Sequence, residues 1–253
     1  MQAHAPLATH QWPRSAGAAR GWPAGDPPRT GLGLHALRAP GAGVLRGMDV
    51  TRLPATRANT DIGRRLERLQ QHLHRRVRRG IEVAPPLLRA GVLVPLLIGH
   101  DGPELLFTRR TETVLTHKGQ ISFPGGQRED VDLETIETAL RESYEEIGLD
   151  TSRVTVLGEL DDVFTSVSAF VITPVVGVVA GGTDKLRPAP DEVKSLLVVP
   201  LSTLDGPGVH TTETRRVDDQ RYRIHYYRVG DDIIWGATGR IVYQFLQAWQ
   251  ETA

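Results

Sequence analysis

The sequence predicts an α+β fold, and three patterns predict it. Residues 61–79 repeat apolar side chains at helical intervals, strand-like runs follow at Arg89–Ile98 and Glu104–Thr108, and a helical period returns over 133–147. With 40% of its 253 residues apolar, the chain can bury a core in one large domain, or in one domain plus an appendage.

The bulk chemistry excludes several classes of function. Thirty basic and thirty acidic side chains cancel, so net charge gives no reason to expect nucleic acid or an anionic membrane as partner. There is no cysteine, which rules out disulfides, thiol catalysis and thiolate metal sites, and suits a cytoplasmic location. Only Lys118, Lys185 and Lys194 are lysines, a lopsided basic usage that reads as the mark of a GC-rich genome. Half of the first 47 residues are Ala, Gly or Pro, with Asp26 the single acid and no sustained period. Such a segment cannot bury enough apolar surface to offset the entropy of ordering it. It reads as a disordered extension, as upstream sequence before a true start at Met48, or as an organellar transit peptide. Scarce serine and the absence of an amphipathic arginine face count against the last. The folded domain is expected to run from Met48 to residue 253.

Within that domain Ile62, Leu66, Leu69, Leu73 and Val77 form one helical stripe, with arginines on the other faces. The helix is expected over about 61–79, docked by its stripe with a solvated basic face. His72 and His74, two apart, cannot share a face and make a poor metal pair. Pro85-Pro86 ends this module. The two strand-like runs that follow are joined by a turn at Gly99, Asp101 and Gly102. The longest uncharged stretch, Val163–Thr183, is long enough to span a membrane, but Pro174, glycines and many valines make it two buried strands around a turn. His225 lies in a further strand-like run and reads as structural; Trp235 and Trp249 read as core residues.

The informative stretch is Phe123–Leu149, FPGGQREDVDLETIETALRESYEEIGL. Leu133, Ile136, Leu140 and Ile147 form a core-facing edge. At about 100° per residue, Glu142, Glu145 and Glu146 gather on the opposite side. Three carboxylates at such spacing repel each other, and no lysine is interleaved. A hard divalent cation, Mg²⁺ or Mn²⁺, would resolve that repulsion. Pro124-Gly125-Gly126 makes a tight turn whose backbone can approach a phosphate. Asp130 and Asp132 stand where the helix should begin and could cap it. Gly148 suits the left-handed residue that ends it.

This run resembles the box of the Nudix hydrolases. Gly126, Arg141, Glu142, Glu145, Glu146 and Gly148 fill the expected places of a box spanning 126–148. The first acid is Asp132 rather than Glu, and eight residues separate it from Arg141. Both departures resemble the coenzyme A pyrophosphatase branch. So do Leu106, Phe107, Thr108, Arg110 and Gly119 ahead of Phe123–Gly126, although Leu115 and Thr111 depart from that motif. Further likeness follows at Leu157–Thr165, Pro174–Gly177, Asp191-Glu192-Val193, Val199–Leu201 and Ile234–Thr238, so the resemblance covers roughly residues 89–246.

The resemblance implies an α/β/α sandwich with a mixed sheet, the box as a loop–helix–loop, and a C-terminal helix over about 238–250. It implies pyrophosphate hydrolysis by a metal held on Glu142, Glu145 and Glu146. Arg141 would orient a box glutamate, and Glu192 would supply a further carboxylate as base. Gly125, Gly126, Arg110, Lys118 and Arg128 are candidates for the substrate's phosphates, with Lys118 standing in for the cation missing at Leu115. His117 is near the site by sequence. The expected substrate is a small molecule, coenzyme A or an acyl derivative, split to phosphopantetheine and adenosine 3′,5′-bisphosphate. A broader nucleoside-diphosphate (ADP-ribose-type) pyrophosphatase and an inactive nucleotide-binding sensor are the alternatives, the second disfavoured because every box carboxylate is present. The sequence leaves a homodimer open.

Because residues 1–47 carry no pattern able to pack, a chain starting at Met48 should melt at the same temperature as the full chain and turn over substrate equally well. Thermal melts and kinetics of the two, side by side, check this; a clear loss of melting temperature on truncation would make the extension part of the domain.

Overall fold

β1 (Leu88–Gly99) is buried on both faces and sorts its side chains by simple alternation: Leu93 and Leu97 enter one apolar cluster, Val94 and Leu96 the other. The structure is a computed structural model and describes residues 61–111, 119–165, 169–217 and 220–253. The expected extension 1–47 lies outside the described residues, as do Met48, Leu115, His117 and Lys118.

β2 (Gly102–Arg110) returns antiparallel to β1 after the two-residue turn at His100-Asp101, with Gly99 opposite Gly102. The pair of short strands β3 (Ile121–Ser122) and β4 (Gly125–Gln127) then adds to β2 and β1 respectively. β5 (Val154–Glu159), reached through a 3-10 turn at Thr151–Arg153, and β6 (Val163–Thr165) both pair antiparallel with β7 (Phe170–Val179). β7 itself runs parallel to β1, from Leu88 opposite Phe170 to Leu97 opposite Val179. β8 (Val193–Pro200) closes the other side against β2. The sheet is therefore mixed, with the interior strands β1 and β7 as its parallel pair.

Both faces are covered. On one, α2 (Thr135–Ile147) packs Ala139, Leu140 and Ile147 against Leu93, Leu106 and Val175. On the other lie α1 (Asp61–Arg75) and, after the short α3 (Leu201–Leu204), the C-terminal α4 (Gly236–Gln250). Leu66, Leu69, Phe245 and Trp249 join Leu96, Leu105 and Phe107 there. Arg65 stacks over the Trp249 ring at 4.0 Å and donates to its carbonyl, which ties the two helices. This is the expected α/β/α sandwich. A second, three-stranded sheet of β9 (His210–Val217), β10 (Gln220–Val229) and β11 (Asp232–Trp235) leans on α4. Its inner face buries His225 and Tyr227, with His225 bonded to His210 at 3.0 Å, so His225 is structural as expected. Trp249 is a core residue, whereas Trp235 is only partly buried and lies parallel to Tyr226.

Three local expectations need correction. α1 ends at Arg75, not near residue 79, and Val77 is 91% exposed. The chain leaves the helix because Arg76 donates to Asp161 and to the Glu159 carbonyl, while the Arg79 and Ile81 N–H groups donate to Asp161 and Asp162. Leu133 is not on the core edge of α2; it is 54% exposed because the helix starts two residues later. Pro174 does not break the uncharged stretch but sits inside β7. Its missing N–H is harmless there, since it falls in the gap between β5 and β6, where its carbonyl accepts from Leu160. Among the described residues no helix is long and apolar enough to cross a membrane.

Candidate active site

The site is built where α2 presses on the start of β1. A β-carbon on Gly91 would lie 2.4 Å from the Thr135 carbonyl oxygen, so only glycine admits the helix at this height. The Pro124-Gly125-Gly126 turn is pinned beneath it, with Val92 opposite Gly125 and Leu93 N–H on the Pro124 carbonyl at 2.9 Å. Gly125 has φ +151°, and a β-carbon on Gly126 would lie 2.5 Å from the Glu142 carboxyl carbon. The helix ends as expected on Gly148 (φ 63°), whose N–H donates to the Tyr144 carbonyl at 2.8 Å. Its start is different from expectation. The N-cap is Glu134 and makes no side-chain cap bond.

Asp132 instead serves Arg141. The Arg141 guanidinium donates to both Asp132 oxygens at 3.1 and 3.0 Å, to Glu142 at 2.9 Å, to Glu145 at 3.1 Å and to the Gln127 carbonyl at 3.1 Å. Asp132 is buried and also accepts from the Thr138 hydroxyl and the Glu129 N–H. Its carboxyl titrates below the usual range: burial would raise it, and these hydrogen bonds together with the Arg141 charge outweigh burial. The Arg141 pKa is raised; its own burial opposes the shift, and its acidic neighbours prevail.

The three box glutamates sit at graded depth, their side chains 49% exposed at Glu145, 18% at Glu142 and 6% at Glu146. Glu146 accepts from the Gly125 N–H at 3.2 Å and lies 3.5 Å from Arg110 Nη1. Burial pushes its carboxyl up to about 8; the Gly125 N–H and Arg110 pull the other way, while Glu142 and Glu192 add to the rise. Glu142 is raised too, first by burial, with Glu145 and Glu192 adding to it against Arg141. Glu192 thus belongs electrostatically to the cluster although its side chain is exposed. Its loop hangs from the end of α2 by Ala189 N–H on the Glu146 carbonyl, and Thr111 N–H holds the Glu192 carbonyl at 3.0 Å.

The remaining candidates divide. Arg110 points into the cluster, and its Nε is buried without a hydrogen-bond partner. Arg128 is committed elsewhere, donating to the carbonyls of Asp132 and Leu133 at 3.1 and 2.8 Å. Lys118 lies outside the described residues. Among the described residues no three acidic, His or Cys groups converge as a ready-made metal cage. Arg141 takes one oxygen each from Glu142 and Glu145, while Glu146 turns to Gly125 and Arg110. Sequence reasoning missed Gly91, which carries no motif, and the service of Asp132 to Arg141, which the spacing alone does not reveal.

Residues 87–227 match the Nudix domain family. The chain is 38% identical over 167 residues to a Pectobacterium atrosepticum protein named uncharacterized Nudix hydrolase NudL, covering 63% of this chain and 85% of that one. It is 37% identical over 161 residues to Nudix hydrolase 15, mitochondrial, of Arabidopsis thaliana, covering 61% of this chain and 56% of the relative. Among solved structures, a MutT/nudix family protein from Enterococcus faecalis is similar at TM-score 0.47 and 15% identity, over 76% of this chain and 75% of that one.

A titration prediction follows from Glu146. Its folded pKa of about 8 lies above the ordinary 4.5, so the folded chain holds this proton more tightly than the unfolded one. The resulting stability is full below the ordinary value and is lost as pH rises through about 8. Thermal melts of metal-free protein across that window should fall with pH, and Glu146→Gln should flatten the fall. An equal slope in wild type and variant would refute the assignment.

Proposed function

Because the chain belongs to the Nudix family, we propose that this hydrolase cleaves the pyrophosphate bond of coenzyme A or an acyl-coenzyme A, giving phosphopantetheine and adenosine 3′,5′-bisphosphate. The observation that carries the pyrophosphatase part is Glu146, a buried carboxylate held by one backbone N–H and faced by one guanidinium at 3.5 Å. With Glu142 raised beside it, this is a cluster short of positive charge.

The donor set fits a hard divalent cation, since every side chain offered is a carboxylate and burial has left two of them poorly solvated. Glu142, Glu145 and Glu146 would hold Mg²⁺ or Mn²⁺, which polarises phosphoryl oxygens and acidifies water. The chain's own groups account for the rest. Arg141, anchored on Asp132, keeps Glu142 and Glu145 aimed at one place. Glu192, at the rim beside Glu142 and Glu146, takes the proton from the attacking water. The water oxygen bonds to one phosphorus as the bridging P–O bond breaks. Arg110, with its unpartnered Nε, leaves Glu146 for a phosphate oxygen of the substrate. The glycines of the turn let that phosphate approach the backbone. Support for coenzyme A in particular rests on Asp132 with its eight-residue spacer, the Thr108-x-Arg110 segment and Trp235–Thr238.

Two measurements test this reading. Glu145→Gln and Glu146→Gln should each lower kcat at least ~10²-fold in saturating Mg²⁺ with folding retained, because a charged ligand is lost; near wild-type turnover in both would remove the cluster from the chemistry. Separately, kcat/KM for coenzyme A and an acyl-coenzyme A should exceed that for ADP-ribose with either metal. A preference for ADP-ribose by tenfold or more, about 1.4 kcal/mol of transition-state binding, would overturn the coenzyme A assignment and leave the pyrophosphatase standing.

A further inference from the structure

β9 is the edge of the small sheet. It pairs with β10 in an unbroken register, from His210 opposite Tyr227 to Val217 opposite Gln220, and among the described residues its other side pairs with no strand. Every residue from Thr211 to Arg216 is exposed. A strand edge presents a row of backbone donors and acceptors, and proteins blunt such edges with charged side chains (lysine above all), proline, a bulge or a covering loop. His210–Val217, HTTETRRV, has no lysine, proline or glycine, and its pairing shows no bulge.

Two of the three charges β9 carries, Glu213 and Arg215, are placed to meet its own copy, while the third, Arg216, would fall opposite Thr212. Glu213 and Arg215 are two apart and so project from the same face of the strand. The Tyr226 hydroxyl donates to Glu213 at 2.9 Å and Arg215 donates to it at 3.0 Å, which holds both side chains over the outer face. In an antiparallel pairing of two β9 strands about a two-fold axis at Thr214, Glu213 of each copy lies directly opposite the partner's Arg215. Opposite charges at directly opposed positions stabilise a strand pair, and like charges destabilise it. A centre at Glu213 or at Arg215 would set like charges face to face. Only the Thr214 centre makes two attractive pairs at once.

We propose that two copies of the chain associate through β9, antiparallel and centred on Thr214, joining their small sheets into one of six strands. The interface is isologous, as closed two-fold symmetry requires, and it lies on a different sheet from the candidate active site.

Charge variants of the full chain test the pairing and its register together, with mass read by sedimentation velocity at about 100 μM protein. Wild type should sediment as a dimer. Glu213→Arg opposes arginine to arginine at both pairs, and Arg215→Glu opposes glutamate to glutamate, so each variant alone should weaken association by roughly tenfold or more. Mixing the two restores both attractive pairs, and the mixture should dimerise again, as should the chain carrying both exchanges. Melting curves of each variant confirm that these exposed substitutions leave the fold intact. A monomeric wild type would overturn the proposal. So would variants that still dimerise alone, or a mixture that stays monomeric.

Discussion

At Gly91 the backbone of β1 and the first turn of α2 come too close for any side chain, and the geometry of the candidate site descends from that approach. It sets the helix low enough for Glu142 to lie against Gly126, and for Glu146, one turn further on, to reach the Gly125 N–H. The Pro124–Gly126 turn cannot retreat, because its strand is hydrogen-bonded to the same residues of β1 that carry the helix. Packing on the apolar side of α2 and chemistry on its acidic side are therefore one constraint. Leu140 and Ile147 hold the helix down, and the carboxylates follow.

Low placement creates an electrostatic problem that Arg141 solves only in part. Its planar fork reaches Asp132, Glu142 and Glu145 together, a division of donors that a lysine ammonium could not reproduce. Asp132 is the structural member of this set, because it is buried and its titration is pulled down rather than up. Glu146 gets no share of Arg141. Burial is what raises Glu142 and Glu146. The repulsion of neighbouring carboxylates, Glu145 and Glu192 on Glu142 and Glu142 and Glu192 on Glu146, adds to it against the pull of Arg141, Arg110 and the Gly125 N–H. A divalent cation bound there would relieve that repulsion, so the feature that makes the proposed site reactive also makes the metal-free fold sensitive to pH.

Much of this was legible because two periods, two and three-to-four, map directly onto buried faces. The sandwich follows from the alternation in β1 and the stripes Leu66–Leu69–Leu73 and Leu140–Ile147. Legibility failed at the ends of elements, where tertiary hydrogen bonds decide. Val77 continues the α1 stripe in sequence, yet Asp161 and Asp162 draw the arginines beside it out of the helix. Leu133 continues the α2 stripe, yet precedes the first helical residue. Aspartates at 130 and 132 read as caps because capping is the commonest local use of aspartate; a partner nine residues away is invisible to local rules. Of the candidate phosphate contacts, the sequence could not separate Arg110, which faces Glu146, from Arg128, which is bound to carbonyls. The small sheet was foreshadowed only by the strand-like run around His225, since its outer face is too polar to show a clean alternation.

A second buried carboxylate shows what distinguishes a structural acid from a reactive one in this fold. Asp162 is fully buried and accepts from Arg78, Arg89, the Ile81 N–H and the Thr173 hydroxyl. Each of its oxygens is doubly answered, and the result is a clamp that ties the segment after α1 to β1 and β7. Glu146 is almost as deep, but has one backbone donor and one guanidinium beyond good hydrogen-bond distance. Both sit beside arginine, so proximity to a cation does not separate them. The number of donors does. A buried carboxylate left short of partners keeps its proton, and it can exchange that proton for a metal ion. The Asp162 oxygens are all taken by protein donors and leave no place for a cation, and that difference is the physical ground for the proposal that puts the chemistry on α2.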